Sequence, residues 1–197
     1  MGTAQVVLVG VGALGSHLTQ FLRNEDIELT IVDFDAVESK NVASQFHSSN
    51  TVRKSKVQGL KQTMQFLFKK KLNVVPHKLT SDNLEQVLGD ADIVIDCVDN
   101  AETRHLIKRY CVEEGIDVLH GSLDDTGQFG RVGWTVPSTG LDFTVDQETE
   151  GAATCENGEF LPFIALTSAY LAISFQKWLD TNATMGYLVS PGGVVAV

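Results

Sequence analysis

The sequence predicts an α/β fold of the Rossmann type, with a mainly parallel sheet, helices on both of its faces and an antiparallel C-terminal extension. Short apolar segments alternate with segments of helical period, as in β-α-β units joined by right-handed crossovers. The first apolar segment leads directly into the glycine-rich turn GVGALG. The chain has 197 residues, 43% of them hydrophobic, which is enough for one domain with its own core.

Strands and helices alternate through the first two thirds of the chain. The apolar segments expected as strands are 5–9, 28–32, 73–77, 92–97 and 117–120. The segments expected as helices are 16–23, 56–71, 81–87 with Ser81 as N-cap, and 101–114, which Gly115 ends. Segment 34–55 is polar and has no period, so we expect a long loop there.

The pattern changes after the fifth strand. Segment 128–136 predicts another strand, and the Gly-, Thr- and acid-rich segment 137–158 predicts a crossover loop. A long apolar helix and a hairpin around Pro191-Gly192-Gly193 follow it. We therefore expect one domain over 1–197, made of a core (1–136), the crossover loop and a helix-hairpin unit (159–197). The helix is apolar around much of its circumference, which predicts a homodimer or heterodimer.

Composition argues against several classes of function. The net charge of −10 disfavours nucleic-acid binding, which needs clustered cations. The longest uncharged stretch, 160–175, is too short to span a bilayer. No C-x-x-C pair occurs among three cysteines, so zinc is not expected, and His47, His77 and His120 have no metal-binding spacing. A sparse, odd cysteine count fits a reducing compartment, so we expect a cytoplasmic protein without membrane or nucleic-acid partners.

The glycine-rich turn predicts a nucleotide site. Gly10 permits the tight turn, Gly12 lets phosphate approach the backbone, and Gly15 lets helix and strand pack closely. The helix that follows offers free N–H groups and a positive dipole end to an anion. Asp33 ends the second strand at the distance where an acid hydrogen-bonds ribose hydroxyls. These residues alone fit NAD and ATP equally well.

Four longer segments separate these possibilities: IVDFDAVESKNVASQF, TVRKSKVQ, DCVDNAETR and TCENGEFLPFIALTSAY. Together they resemble the ubiquitin-activating-enzyme superfamily, the ThiF-type adenylyltransferases, from Val6 to the final hairpin. The resemblance implies ATP and Mg²⁺ as cofactors and a small ubiquitin-like protein, sulfur-carrier protein or peptide as partner. It further implies attack of the partner's carboxylate on the α-phosphate of ATP, which gives an acyl-adenylate and pyrophosphate.

The resemblance also implies roles for residues after the second strand. Asp33 would hold the ribose, Asp35 would support it, and Asn41 would lie near the triphosphate. Lys56 would neutralise phosphate charge as a mobile cation. A solvated lysine in the first turn of a helix is the alternative, although the helix dipole disfavours a cation there.

Further roles fall after the fourth strand and in the crossover loop. Asp99 would hold Mg²⁺, with Asn100 and Arg104 shaping the site behind it, although Asp99 and Asn100 could instead cap the next helix. Asp96 lies in an apolar strand and needs a partner. Cys155 would match a cysteine that forms a thioester or persulfide in some members, or it is incidental.

The chain departs from the family pattern in three respects. Ser44 stands where members usually carry an arginine aimed at the phosphates, and the zinc cysteine pairs are absent. The segment before the first strand is too short for the helical arm of many members. Arg53 or Lys54, or a partner protein, could supply the missing charge. Two alternatives to adenylyl transfer therefore stay open: a catalytically silent binding or regulatory subunit, and an NAD-dependent oxidoreductase.

Overall fold

The computed structural model describes residues 2–124, 126, 128–142, 158 and 160–197. Within them the strands are β1 (Ala4–Val9), β2 (Ile27–Val32), β3 (Asn73–Val75), β4 (Ile93–Asp96), β5 (Asp117–Leu123), β6 (Gly130–Val136), β7 (Leu141–Asp142), β8 (Tyr187–Ser190) and β9 (Gly193–Ala196). The α-helices are α1 (Ala13–Phe21), α2 (Lys56–Phe68), α3 (Leu84–Leu88), α4 (Ala101–Glu114) and α5 (Leu161–Thr181).

These strands form one mixed sheet in the order β3-β2-β1-β4-β5-β6-β8-β9, with β7 paired to β6. The first five are parallel, and the strands from β6 onward pair antiparallel. The predicted Rossmann-like class and its antiparallel C-terminal extension are therefore confirmed. No helix in the described part of the chain is long and apolar enough to cross a bilayer.

The core has two layers because side chains of a strand alternate between the faces of the sheet. Val6 and Leu8 of β1 point to one face, where they join the buried side chains of α1, α2 and α5. Val7 and Val9 point to the other face and pack with those of α3 and α4. Helices on both faces thus bury all of β4 and the second half of β1, which explains the continuous apolar runs there.

One local prediction was wrong. Ser81 does not cap the third helix; α3 has Asn83 at its N-cap position, and the Asn83 amide oxygen accepts the N–H of Thr80, closing a turn across 80–83. Segment 34–55 contains neither an α-helix nor a named strand, as expected for a long loop, but it does contain the short 3₁₀ helices Ser39–Ala43 and Ser49–Thr51.

Candidate nucleotide site

The candidate site lies where three parallel strands end at the same edge of the sheet. Val9 at the end of β1 pairs with Val32 of β2 on one side and with Asp96 of β4 on the other. The residues that follow these three strand ends therefore emerge side by side. In parallel α/β sheets this carboxyl edge is where ligands bind.

The glycine turn joins β1 to α1, and its three glycines lie in different environments. Gly10 has φ +86°, and a Cβ there would lie 2.7 Å from the carbonyl oxygen of Cys97. A Cβ on Gly15 would lie 1.9 Å from the carbonyl oxygen of Gly10, so the fold needs both glycines. A Cβ on Gly12 would meet only the amide nitrogen of Gln45, at 4.0 Å. The turn is therefore packed on its inner side and open at Gly12.

Asp33 connects the second strand to this turn. Its Oδ2 accepts the N–H of Val11 at 2.9 Å, and its Oδ1 accepts the N–H of Asp35 at 2.9 Å. Burial raises the pKa of Asp33, while Lys56 and both backbone N–H groups oppose the rise. Each carboxylate oxygen keeps a second lone pair, so Asp33 can fix the loop and still accept a hydroxyl group.

Lys56 is held beside Asp33 by Asp35. Its Nζ lies 2.7 Å from Asp35 Oδ2, and its backbone N–H donates to the Asp35 carbonyl at 2.8 Å. An antiparallel bridge between Ala36 and Ser55 brings the two segments together. The Lys56 side chain is only 10% exposed, against 48% for Asp35. The alternative of a solvated lysine is therefore wrong, and the ion pair offsets the unfavourable position of a cation at the start of α2.

Asp99 and Asn100 have different environments. The side-chain oxygen of Asn100 accepts the N–H of Thr103 at 2.9 Å and caps α4, so the capping alternative holds for this residue. Asp99 is exposed and makes no side-chain hydrogen bond with any described residue. Its carboxylate is therefore available at the same edge as the glycine turn.

Asp96 is fully buried and is paired with two side chains. Its Oδ2 accepts from Arg104 Nε at 2.8 Å and from His120 Nδ1 at 2.9 Å. Burial alone would raise the pKa of Asp96, but Arg104, His120 and the N–H of Val98 hold it below its usual value. Arg104, expected to shape the site, thus directs its guanidinium at a buried carboxylate. His120 was not singled out by its sequence pattern.

Asn41 is buried in the loop that joins β2 to α2. Its side-chain oxygen accepts the N–H of Glu38 at 2.8 Å, which closes the first turn of the 3₁₀ helix Ser39–Ala43. The position of Asn41 relative to a triphosphate stays a prediction, and so do the other ligand-binding roles.

The segment after Asn41 packs on the glycine turn through two buried histidines. The Ser44 carbonyl bonds with His17 Nε2 at 3.0 Å, and the Val11 carbonyl bonds with His47 Nε2 at 2.9 Å. Burial lowers the pKa of His47 to about 4, against the opposing hydrogen bond with Val11. Ser44 itself is 1% exposed. Sequence reasoning missed both histidines and Gln45, and their only signal was their place next to the turn.

A cavity of about 600 Å³ lies between the start of α4 and the loop after β3, with Leu79, Thr103 and Leu106 among its lining residues and Lys78 and Arg109 also facing it. Cys155 and most of the predicted crossover loop lie outside the described residues; the described start of that segment forms a turn and β7.

The fold and this edge define a Rossmann-like α/β domain with a glycine turn, an acid after the second strand and a lysine buried beside it. The chain belongs to the ThiF family, whose model matches residues 1–189. It is 30% identical over 192 residues to the adenylyltransferase and sulfurtransferase UBA4 of Lodderomyces elongisporus, covering 92% of this chain and 42% of that protein. It is 32% identical over 124 residues to the SAMP-activating enzyme E1 of Haloferax volcanii, covering 61% of this chain and 46% of that protein.

The chain thus spans less than half the length of these relatives. Among solved structures, E. coli MccB with ATP is similar in fold, with a TM-score of 0.80, 18% identity and coverage of 98% of this chain and 62% of MccB. PaaA is similar too, with a TM-score of 0.78, 16% identity and coverage of 98% and 62%. At these identities the structures support the fold alone.

Proposed function

We propose that this domain is an ATP-dependent adenylyltransferase acting on the C-terminal carboxylate of a small ubiquitin-like protein, sulfur-carrier protein or peptide. The observation that carries the proposal is the hydrogen-bonded connection of Val11, Asp33, Asp35 and Lys56 at one edge of the sheet. Membership of the ThiF family and relatives named as adenylyltransferases support it further, and favour it over the oxidoreductase alternative.

The site offers ATP three kinds of contact. The open side of the turn at Gly12 leaves room for phosphate against the backbone. The first N–H groups of α1 have no partner within the helix, and the positive end of the helix dipole lies at the same place. Asp33 has lone pairs free for ribose hydroxyls.

In the reaction, an oxygen of the partner's carboxylate attacks the α-phosphorus and forms the acyl-phosphate bond. The bond from the α-phosphorus to the bridging oxygen breaks, and pyrophosphate leaves. Such a transfer depends on positioning and on neutralising charge more than on covalent help. Lys56 supplies that charge by exchanging its Asp35 partner for a phosphate oxygen, which its single ammonium group can do by rotation.

Asp99 would hold Mg²⁺. Its carboxylate is a hard oxygen ligand, exposed and without a partner among the described residues. Within those residues no cluster of three His, Cys, Asp or Glu side chains could hold a metal by itself. That fits Mg²⁺, which usually takes one or two carboxylates and completes its shell with water and substrate phosphates. The ion would neutralise the charge that develops on pyrophosphate.

Exchange of labelled pyrophosphate into ATP tests the proposal directly. We expect exchange that depends on a small carrier protein ending in Gly-Gly and that disappears with the same carrier amidated at its C-terminus. Asp99→Asn should abolish the exchange while preserving the fold, because the exposed carboxylate makes no contact with described residues. Full exchange in Asp99→Asn would contradict the assigned role.

One observation favours a second candidate, a nucleotide-bound subunit without catalysis. Ser44 is buried at the position where the family resemblance predicts an arginine, and Lys54, a nearby cation, donates its Nζ to Gln62. Lys56 is then the cation best placed for the phosphates. Release of AMP or pyrophosphate by the isolated chain with any carboxylate partner would exclude this candidate.

A further inference from the structure

We propose that Arg104 and His120 are positioning residues that hold the turn carrying Asp99 through a buried clamp centred on Asp96. The inference rests on the proposed function, because it is there that Asp99 receives its metal-binding role. It concerns residues that contact Asp96 and the backbone rather than Asp99 itself, and it gives His120 a role that its sequence pattern did not suggest.

The centre of the clamp is a carboxylate with no solvent exposure. Asp96 Oδ2 receives two donors, Arg104 Nε at 2.8 Å and His120 Nδ1 at 2.9 Å, and Oδ1 receives the N–H of Val98 at 3.0 Å. Charge-assisted hydrogen bonds of this kind are stronger than neutral ones, and they strengthen further away from water. The carboxylate is thus fixed from three directions.

The clamp reaches Asp99 through the backbone just before it. The N–H of Val98 donates to Asp96, and the carbonyl of Val98 accepts from an Arg104 terminal nitrogen at 2.6 Å. Both polar backbone groups of Val98 are therefore occupied by the clamp. On the other side of Asp99, the cap formed by Asn100 fixes the chain to the start of α4. The carboxylate of Asp99 makes no hydrogen bond with the described residues, while the chain on both sides of it is held.

The clamp is anchored to the antiparallel part of the sheet. Arg104 also donates to the carbonyl of Gly121 in β5 at 3.2 Å. His120 lies in the same strand with only 2% exposure, and its Nε2 is 3.0 Å from the hydroxyl of Thr135 in β6. The position of the Asp99 turn is thus tied to β4, α4, β5 and β6 together. Backbone held in this way fixes the place from which the Asp99 carboxylate can reach a metal ion.

The test separates nucleotide affinity with Mg²⁺ from affinity without it. Calorimetry gives the Kd of a non-hydrolysable ATP analogue in Mg²⁺ and in EDTA. The Kd in EDTA divided by the Kd in Mg²⁺ measures how much the metal contributes to affinity. We expect His120→Ala to lower this ratio by about tenfold at most, because loss of a partner bonded directly to a metal ligand lowers metal affinity about 10–100-fold and His120 acts on Asp99 only through Asp96 and Val98. The Kd in EDTA should not change, because the glycine turn is intact.

Two milder variants keep the test decisive if His120→Ala fails to fold. His120→Asn can still donate to Asp96 from its amide but loses the contact with Thr135, so it should restore the ratio in part. Thr135→Val removes only the outermost hydroxyl and should give an intermediate ratio. Trp178→Phe is the matched control, since it removes a side-chain hydrogen bond to Asp117 at the opposite end of β5 and should leave the ratio unchanged.

The outcomes distinguish this inference from the proposed function. A wild-type ratio that His120→Ala lowers and His120→Asn restores in part supports the clamp. A wild-type ratio above one that His120→Ala and Thr135→Val both leave unchanged overturns the clamp and leaves the nucleotide site standing. A wild-type protein that binds no nucleotide overturns the proposed function, and the clamp with it.

Discussion

Acidification should destabilise the domain through His47, which lies under the glycine turn. Burial lowers its pKa from 6.5 to about 4, so between these pH values the unfolded chain binds a proton that the folded chain does not. Stability contributed by the neutral imidazole is therefore present above pH 6.5 and lost as the pH falls towards 4. At 1.36 kcal/mol per pH unit, the loss is about 3 kcal/mol between pH 7 and pH 4.

The variant His47→Gln isolates this contribution. Glutamine can still donate an N–H to the Val11 carbonyl, which His47 Nε2 contacts at 2.9 Å, but it does not titrate. Urea unfolding of both proteins from pH 7 to pH 4 should show a pH-dependent loss that is about 3 kcal/mol smaller in the variant. His77→Gln, which removes an exposed imidazole, is the matched control. Parallel stability curves for wild type and His47→Gln would refute the assignment.

Three further outcomes are expected. Gly15→Ala places a Cβ 1.9 Å from the carbonyl oxygen of Gly10 and should lower the melting temperature sharply. Gly12→Ala meets nothing closer than 4.0 Å, so it should keep the melting temperature and weaken only ATP binding. Equal effects of the two variants on stability would contradict this geometry. Lys56→Met removes an ion pair whose acid is half exposed, so the free energy of unfolding, measured by chemical denaturation, should change by about 1 kcal/mol or less. In calorimetry the variant should bind ATP more weakly and adenosine as well as the wild type does. Equal losses of affinity for both ligands would count against a contact between Lys56 and phosphate. Analytical ultracentrifugation at micromolar concentration should find a dimer, because Leu161, Leu166 and Ile173 of α5 remain exposed; a monomer would leave these side chains unexplained.

The parts of the fold that local signals specify were predictable. Helix α4 begins and ends where the sequence indicates, because Asn100 caps its start and Gly115, at φ +74°, ends it. The fifth strand was expected to end at residue 120 but continues to Leu123, because its last residues pair with β6. That pairing depends on tertiary structure and leaves no period in the segment itself.

The candidate site divides in the same way. The glycine turn and Asp33 were recognisable because their roles depend on a strand, a turn and a helix that are adjacent in sequence. The pairing of Asp96 with His120 joins residues 24 positions apart, and the contact of His47 with Val11 joins residues 36 apart. Such contacts follow from how the strands and loops pack, so a single sequence indicates at most that a buried acid needs a partner.

The most direct measurement is the thermal shift of the domain with Mg-ATP and, in parallel, with NAD. At 100 times its Kd a ligand adds about 2.7 kcal/mol, which for a chain of this size raises the melting temperature by roughly 5–10 °C. We predict that shift with Mg-ATP and none with NAD, and a smaller shift with Mg-ATP in Asp99→Asn. A shift with NAD alone, or with neither ligand, would contradict the assignment of this edge of the sheet as an ATP site.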